Sequence, residues 1–194
     1  MSNIRTVCVY CGSSMRVDDA YKQAAQELGA LLARQGIGVV YGGGRVGLMG
    51  LVADAAMAAG GTVTGIIPSH IQEHEVQHTG LTELLVVDSM HTRKRMMVER
   101  SDAFVVLPGG FGTLDEMFEI LTWKQLRLHD KPVVIADVGG YWQPLLRLID
   151  HMIDSGFVQP AHRGSYAVVS SVAEVPAALA RAPEPAIDPE SKWM

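Results

Sequence analysis

The chain has 194 residues, of which 48% are hydrophobic and 19% charged. This balance fits a globular domain with a sizeable core and excludes disordered and fibrous compositions. A formal net charge of -5 argues against a general nucleic-acid binder, which presents a basic face. It leaves room for a small anionic ligand, which needs only local positive charge and oriented N–H groups.

Along the chain, short apolar runs alternate with helical patterns. Strands are expected over residues 7–10, 38–41, 63–67, 84–87, 103–107, 133–136 and 167–169. Each run is continuous rather than alternating, as in strands buried on both faces. Helices are expected over 20–34, 48–59, 92–100, 114–128, 142–154 and 173–181. Such alternation implies right-handed crossovers. The expected fold is therefore a three-layer, Rossmann-like α/β domain, with a mainly parallel sheet of about seven strands and helices on both faces. We place this single domain at 1–182 and read 183–194, with three prolines, as a flexible tail.

The first apolar run is too short for a secretion signal or a membrane span, so a cytoplasmic protein with no membrane contact is expected. Cys8 and Cys11 form a lone CxxC. A tetrahedral metal site needs two more ligands at matching spacing, and none is evident. Adjacent strand residues also point to opposite faces. Both cysteines are therefore read as core and turn residues, with no metal. The long polar connection at 69–82 carries three histidines and two glutamates. It reads either as a lid or rim, or as a surface loop containing a short helical turn.

Two glycine-rich turns carry the functional signal. Gly42-Gly43-Gly44-Arg45-Val46-Gly47-Leu48-Met49-Gly50 follows the second strand, and Pro108-Gly109-Gly110-Phe111-Gly112-Thr113 follows the fifth. Each leads into a helix, whose first N–H groups and positive dipole end favour phosphate. In open parallel sheets, ligands lie at the carboxyl ends of the strands, where these turns sit. Neither turn is a Walker loop, and the first lacks the GxGxxG register. A third turn, Cys11-Gly12-Ser13-Ser14, is a candidate further wall of the same pocket. Ser13, Gly43, Gly44 and Met90 are candidate additional phosphate or nucleotide contacts.

Glu116 stands in the first turn after the second glycine loop, where a glutamate is either a helix-dipole partner or a functional carboxylate. In Met90-His91-Thr92-Arg93-Lys94-Arg95, the three basic residues are about 100° apart on a helix and cannot share one pocket. Arg93, on a methionine-lined side, is a core-rim residue or a buried anion ligand.

Pro108-Gly109-Gly110-Phe111-Gly112-Thr113-Leu114-Asp115-Glu116 resembles the PGGxGTxxE signature of the LOG family. Met90-His91-Thr92-Arg93-Lys94 is similar to its second signature, MHxRK. The GGGxxGLMG turn, CGSS, Thr122-Trp123-Lys124-Gln125-Leu126 and Gly140-Tyr141 add to a likeness that runs to about Arg181. Thr92 stands where many relatives carry glutamate. The resemblance implies hydrolysis of an N6-substituted purine nucleoside 5′-monophosphate, a cytokinin riboside 5′-monophosphate, to free base and ribose 5-phosphate, with no metal or redox cofactor. It makes Arg93 and Glu116 the catalytic residues. Lys94, Gly110, Phe111, Gly112, Thr113, Leu114, Asp115 and Thr122 become substrate contacts, joined by Glu75 in the long loop. It also implies a homodimer with sites near the interface. General AMP nucleosidase activity, and a nucleotide-binding module without catalysis, are the competing readings. Lysine decarboxylation is weaker, because only Lys94 lies near the expected pocket and no pyridoxal phosphate motif surrounds it.

Overall fold

The computed structural model describes residues 4–72, 78 and 80–181. Seven strands form one sheet: β1 (Thr6–Tyr10), β2 (Gly38–Tyr41), β3 (Val63–Pro68), β4 (Glu83–Val87), β5 (Ala103–Val106), β6 (Val133–Ala136) and β7 (Ala167–Val169). Their order is β4-β3-β2-β1-β5-β6-β7, and every pairing is parallel. The helices are α1 (Asp19–Arg34), α2 (Leu48–Ala58), α3 (Ser69–Gln72), α4 (Met90–Glu99), α5 (Phe111–Gln125), α6 (Gln143–Asp154) and α7 (Val175–Arg181).

The pleat sorts the apolar runs into two layers. Val7 and Val9 of β1 pack with Leu28 of α1, Val52 of α2 and Leu179 of α7. Cys8 and Tyr10 face the other way, toward Met97 of α4, Met117 and Ile120 of α5, and Trp142. Successive side chains must alternate between faces, so a strand covered on both sides needs apolar residues throughout. The same alternation parts the two cysteines. Cys8 belongs to one layer and Cys11 to the other; both are free and buried. Among the described residues, no His, Cys, Asp and Glu group could hold a metal ion.

The chain progresses from β1 outward through β2, β3 and β4, then returns to β5 and continues outward through β6 and β7. Between β1 and β5 the direction of progression reverses, and the loops beyond their carboxyl ends diverge and leave a crevice.

Two helices start two or three residues earlier than their sequence pattern suggests. Helix α5 opens at Phe111 rather than 114, because the glycine loop itself forms the first helical turn. The N–H groups of a first turn have no intrahelical partner, so glycine's weak helix propensity costs little there. The helix stops at Gln125 rather than 128, and Arg127 turns left-handed with φ 58°. Helix α4 opens at Met90 rather than 92, with Ser89 as its cap, and the Ser89 Oγ accepts the Thr92 N–H at 3.2 Å. The connection after β3 contains the short helix α3. His78 near its end is buried, with Nε2 2.8 Å from Asp54 Oδ1 of α2. The expected tail at 183–194 lies outside the described residues.

Candidate active site

The turns after β1, β2 and β5 are sewn together by main-chain bonds across the crevice. The Gly12 N–H donates to the Pro108 carbonyl at 3.0 Å, and the Gly12 carbonyl accepts the Leu48 N–H at 2.9 Å. One residue thus ties the phosphate-type loop after β5 to the start of α2. Between the turns lies a cavity of ≈ 270 Å³. Its walls come from Cys11, Gly12 and Ser13 after β1, Gly42 and Met49 after β2, Pro68 at the end of β3, Ile71 of α3, and Met90 and Arg93 of α4. Gly110, Phe111, Gly112, Thr113, Asp115 and Glu116 complete it.

Arg93 and Glu116 meet at this cavity. Arg93 Nη1 donates to Glu116 Oε1 at 2.7 Å, and its Nε donates to the Ile66 carbonyl at 3.1 Å. Arg93 is 9% exposed and Glu116 8%, so both charges sit largely out of water. Burial pushes the Glu116 carboxyl above its ordinary value, and this outweighs the opposing pull of the Arg93 guanidinium. Replacing a buried pair by apolar residues often leaves a protein equally or more stable. Such a pair is therefore weak evidence for a stabilising device and better evidence for a functional one.

Room for the guanidinium depends on Gly42. A Cβ at that position would fall within contact of Arg93 Nη2 and 3.3 Å from the Met49 sulfur. The first glycine of the triplet is thus the one that faces the cavity. Gly43 and Gly44 do not line it. Gly43 has φ 79°, and a Cβ there would press on Ile67 of β3 at 3.1 Å. The two expected contacts are displaced because the left-handed turn at Gly43 carries the backbone toward the sheet.

The start of α5 supplies donors. Its first intrahelical bond to the cap runs from the Leu114 N–H to the Gly110 carbonyl at 3.0 Å. The N–H groups of Phe111, Gly112 and Thr113 precede it and are the unpaired groups of a helix start. Thr113 is buried at 3% exposure, whereas Phe111, 92% exposed, stands at the mouth. Oriented N–H groups and the positive dipole end favour a phosphate dianion here.

Other expected contacts fall elsewhere. Lys94 points along α5, with its Nζ 3.2 Å from Asp115 Oδ2 and 3.1 Å from Glu119 Oε1. Partial burial lowers the Lys94 pKa, but the Glu119 and Asp115 carboxylates outweigh it and hold the ammonium above its ordinary value. Leu114 lies beside Phe118 on the outer side of α5. Thr122 opens onto a separate cleft with Phe118, Leu121, Met152 and Tyr166. One turn is 3.6 residues, so a side chain six positions after Glu116 is rotated by about 240° and leaves on another side of the helix. Glu75 lies outside the described residues. Ser13 and Met90 line the cavity. Gly42, Met49, Pro68 and Ile71 were not singled out. Only Gly42 carried a usable signal, as the first glycine after a strand.

The all-parallel sheet, with helix starts converging on a cavity where the strand order reverses, defines a Rossmann-like α/β protein with its cavity at the topological switch point. A family model described as "Possible lysine decarboxylase" matches residues 49–179. The chain is 46% identical over 176 residues to the cytokinin riboside 5′-monophosphate phosphoribohydrolase of Rhodococcoides fascians, covering 90% of this chain and 89% of that protein. It is 49% identical over 162 residues to a probable cytokinin riboside 5′-monophosphate phosphoribohydrolase of Oryza sativa subsp. japonica, covering 84% of this chain. That alignment spans 66% of the rice protein's length. Among solved structures, a molybdenum cofactor carrier protein from Chlamydomonas reinhardtii superposes with a TM-score of 0.69 at 24% identity. It covers 91% of this chain and 96% of that one, a likeness of fold alone. The chain belongs to the LOG family of cytokinin riboside 5′-monophosphate phosphoribohydrolases.

Proposed function

We propose that this protein hydrolyses the N-glycosidic bond of cytokinin riboside 5′-monophosphates, releasing the free base and ribose 5-phosphate. The observation that carries this reading is the buried 2.7 Å contact between Arg93 and Glu116, set in a cavity bordered by glycine-rich helix starts. The names of relatives at 45–49% identity agree with it. In this reading the 5′-phosphate rests on the N–H groups at 110–113, and its remote binding energy aligns the ribose. Glu116 orients and deprotonates the attacking water and offsets positive charge developing on the sugar. The water oxygen bonds to C1′ as the bond from C1′ to the base breaks. The water's proton passes to Glu116, and the base leaves with the bonding pair. Arg93 meets the charge of that leaving group until a solvent proton neutralises it. Ser13, Met90, Gly110, Phe111, Gly112, Thr113 and Asp115 border the bound nucleotide.

The donor set favours hydrolysis over decarboxylation. Among the described residues, no lysine lines the cavity, whereas a Schiff-base mechanism needs one. Incubating the purified protein with isopentenyl-AMP and AMP, and following ribose 5-phosphate, tests the proposal. Product from AMP at equal efficiency would make it a general nucleosidase. Binding without any free base would make it a nucleotide-binding module.

Gly42→Ala checks the geometry. The added methyl would displace the Arg93 guanidinium, and a shift of about 1 Å at a reacting centre costs about 10²-fold in rate. We expect kcat/KM to fall by that order, with an unchanged far-ultraviolet circular dichroism spectrum. An unimpaired variant would detach the position of Arg93 from catalysis.

The reading includes a cytoplasmic homodimer that acts on a small molecule and not on nucleic acid. Among the described residues, no helix is long and apolar enough to cross a membrane. The cleft that Thr122 opens onto lies away from the Glu116 cavity of its own chain, so in this reading Thr122 meets the nucleotide bound by a second copy. Sedimentation should give twice the 21.0 kDa chain mass, and Thr122→Arg should lower both the mass and the activity. A fully active monomer would remove Thr122 and Lys94 from the substrate contacts.

A further inference from the structure

Tyr141 reaches the phosphate turn from outside the cavity. Its hydroxyl donates to the Gly109 carbonyl at 2.7 Å, yet Tyr141 does not line the cavity. The 109–110 peptide is trans, so its N–H and carbonyl point in opposite directions. A bond that draws the Gly109 oxygen toward Tyr141 therefore turns the Gly110 N–H away from it, and Gly110 borders the cavity.

The ring that carries this hydroxyl is held by a locked backbone bend and by two aromatic neighbours. Gly139 and Gly140, with φ of 61° and 75°, bend the chain back after β6 toward the neighbouring end of β5. Buried Asp137 accepts the Trp142 N–H at 2.6 Å and the Gln143 side-chain amide, which locks the bend. The Tyr141 ring then stands edge-on to Trp142 at 4.8 Å and to Tyr21 at 5.4 Å. Aromatic edge contacts at such distances add stabilisation beyond their buried area. The hydroxyl is thus aimed before any ligand arrives.

We propose that Tyr141 is a positioning residue for phosphate recognition. It holds the 109–110 peptide so that the Gly110 N–H joins the first N–H groups of α5 in facing the phosphoryl group. The proposal rests on the reading of the cavity as a nucleoside 5′-monophosphate site. Without the tyrosine hydroxyl, the peptide plane flanked by two glycines rotates more freely, and this donor is no longer preorganised. A role confined to holding the fold would affect phosphate and base alike.

The test is a calorimetric titration of the full chain and Tyr141→Phe with inorganic phosphate and, separately, adenine. The variant keeps the ring and its packing. Loss of one oriented hydrogen bond should weaken phosphate binding about fivefold and leave adenine binding and the melting midpoint unchanged. In turnover, KM should rise by a similar factor with kcat nearly constant. Equal phosphate affinity in both proteins overturns the proposal, as does absence of phosphate binding by the parent chain. A parallel loss of phosphate, adenine and thermal stability overturns it as well. Phosphate binding is read without turnover. Failure to release ribose 5-phosphate from any nucleotide would therefore strike the proposed function and leave this test standing.

Discussion

Replacing Glu116 with glutamine should lower kcat by about 10²–10⁴-fold, the range supplied by a positioned general base, while nucleotide still binds. Glutamine has nearly the shape of the carboxylate and retains an oxygen to accept from Arg93 Nη1, so the 2.7 Å contact keeps a partner. It cannot take a proton from water or carry negative charge beside the forming oxocarbenium ion. The pH profile gives an independent readout. Burial raises the Glu116 pKa, so the competent carboxylate is lost as pH falls through a value above the usual glutamate pKa of about 4.3. The acid limb of kcat/KM should lie correspondingly high in the parent protein and be absent from whatever activity the variant retains. Unchanged hydrolysis by Glu116→Gln would remove this carboxylate from the mechanism.

Arg93→Ala should be more damaging to the fold. The substitution removes the guanidinium from Glu116 and from the Ile66 carbonyl together, and leaves a carboxylate at 8% exposure without a counter-ion. Breaking a buried pair from one side costs about 3–5 kcal/mol. In a domain of this size that is a drop of roughly 10 °C in melting midpoint. The orphaned carboxyl responds by holding its proton to higher pH, so the loss should shrink in acid, where Glu116 is neutral. The double variant Arg93→Ala/Glu116→Gln carries no buried charge at either position and should recover part of the midpoint while remaining inactive. Thermal melts of the two single variants and the double variant measure the coupling directly. Additive losses would mean that the two groups do not sense one another across the cavity.

The geometry also bears on lysine decarboxylation, the activity named in the family model's description. Lys94, the lysine within the signature, is engaged by Asp115 and Glu119 on the outer flank of α5. Its neighbour Arg93 turns inward. Adjacent helical positions diverge by about 100°, so one basic residue of the motif serves the cavity and the other ties α4 to α5.

The alternation of strands and helices was legible from the chain because strands buried on both faces must be apolar at every position. The run at 133–136, for example, coincides with β6. The glycine-rich turns and the residues of the two signatures were legible too, since few residue types satisfy a close backbone approach and a helix start at once. Tertiary structure decided the rest. Helical spacing orients a side chain about its own axis but says nothing of how that helix is rolled against its neighbour. The meeting of Arg93 on α4 with Glu116 on α5 could not be derived from spacing. Gly42 was legible only as one glycine of a triplet: which of the three opens to the cavity depends on the left-handed turn at Gly43 and its packing on β3. Tyr141 acts on a peptide 32 residues away, and only the adjacency of β5 and β6 in the sheet brings the two together.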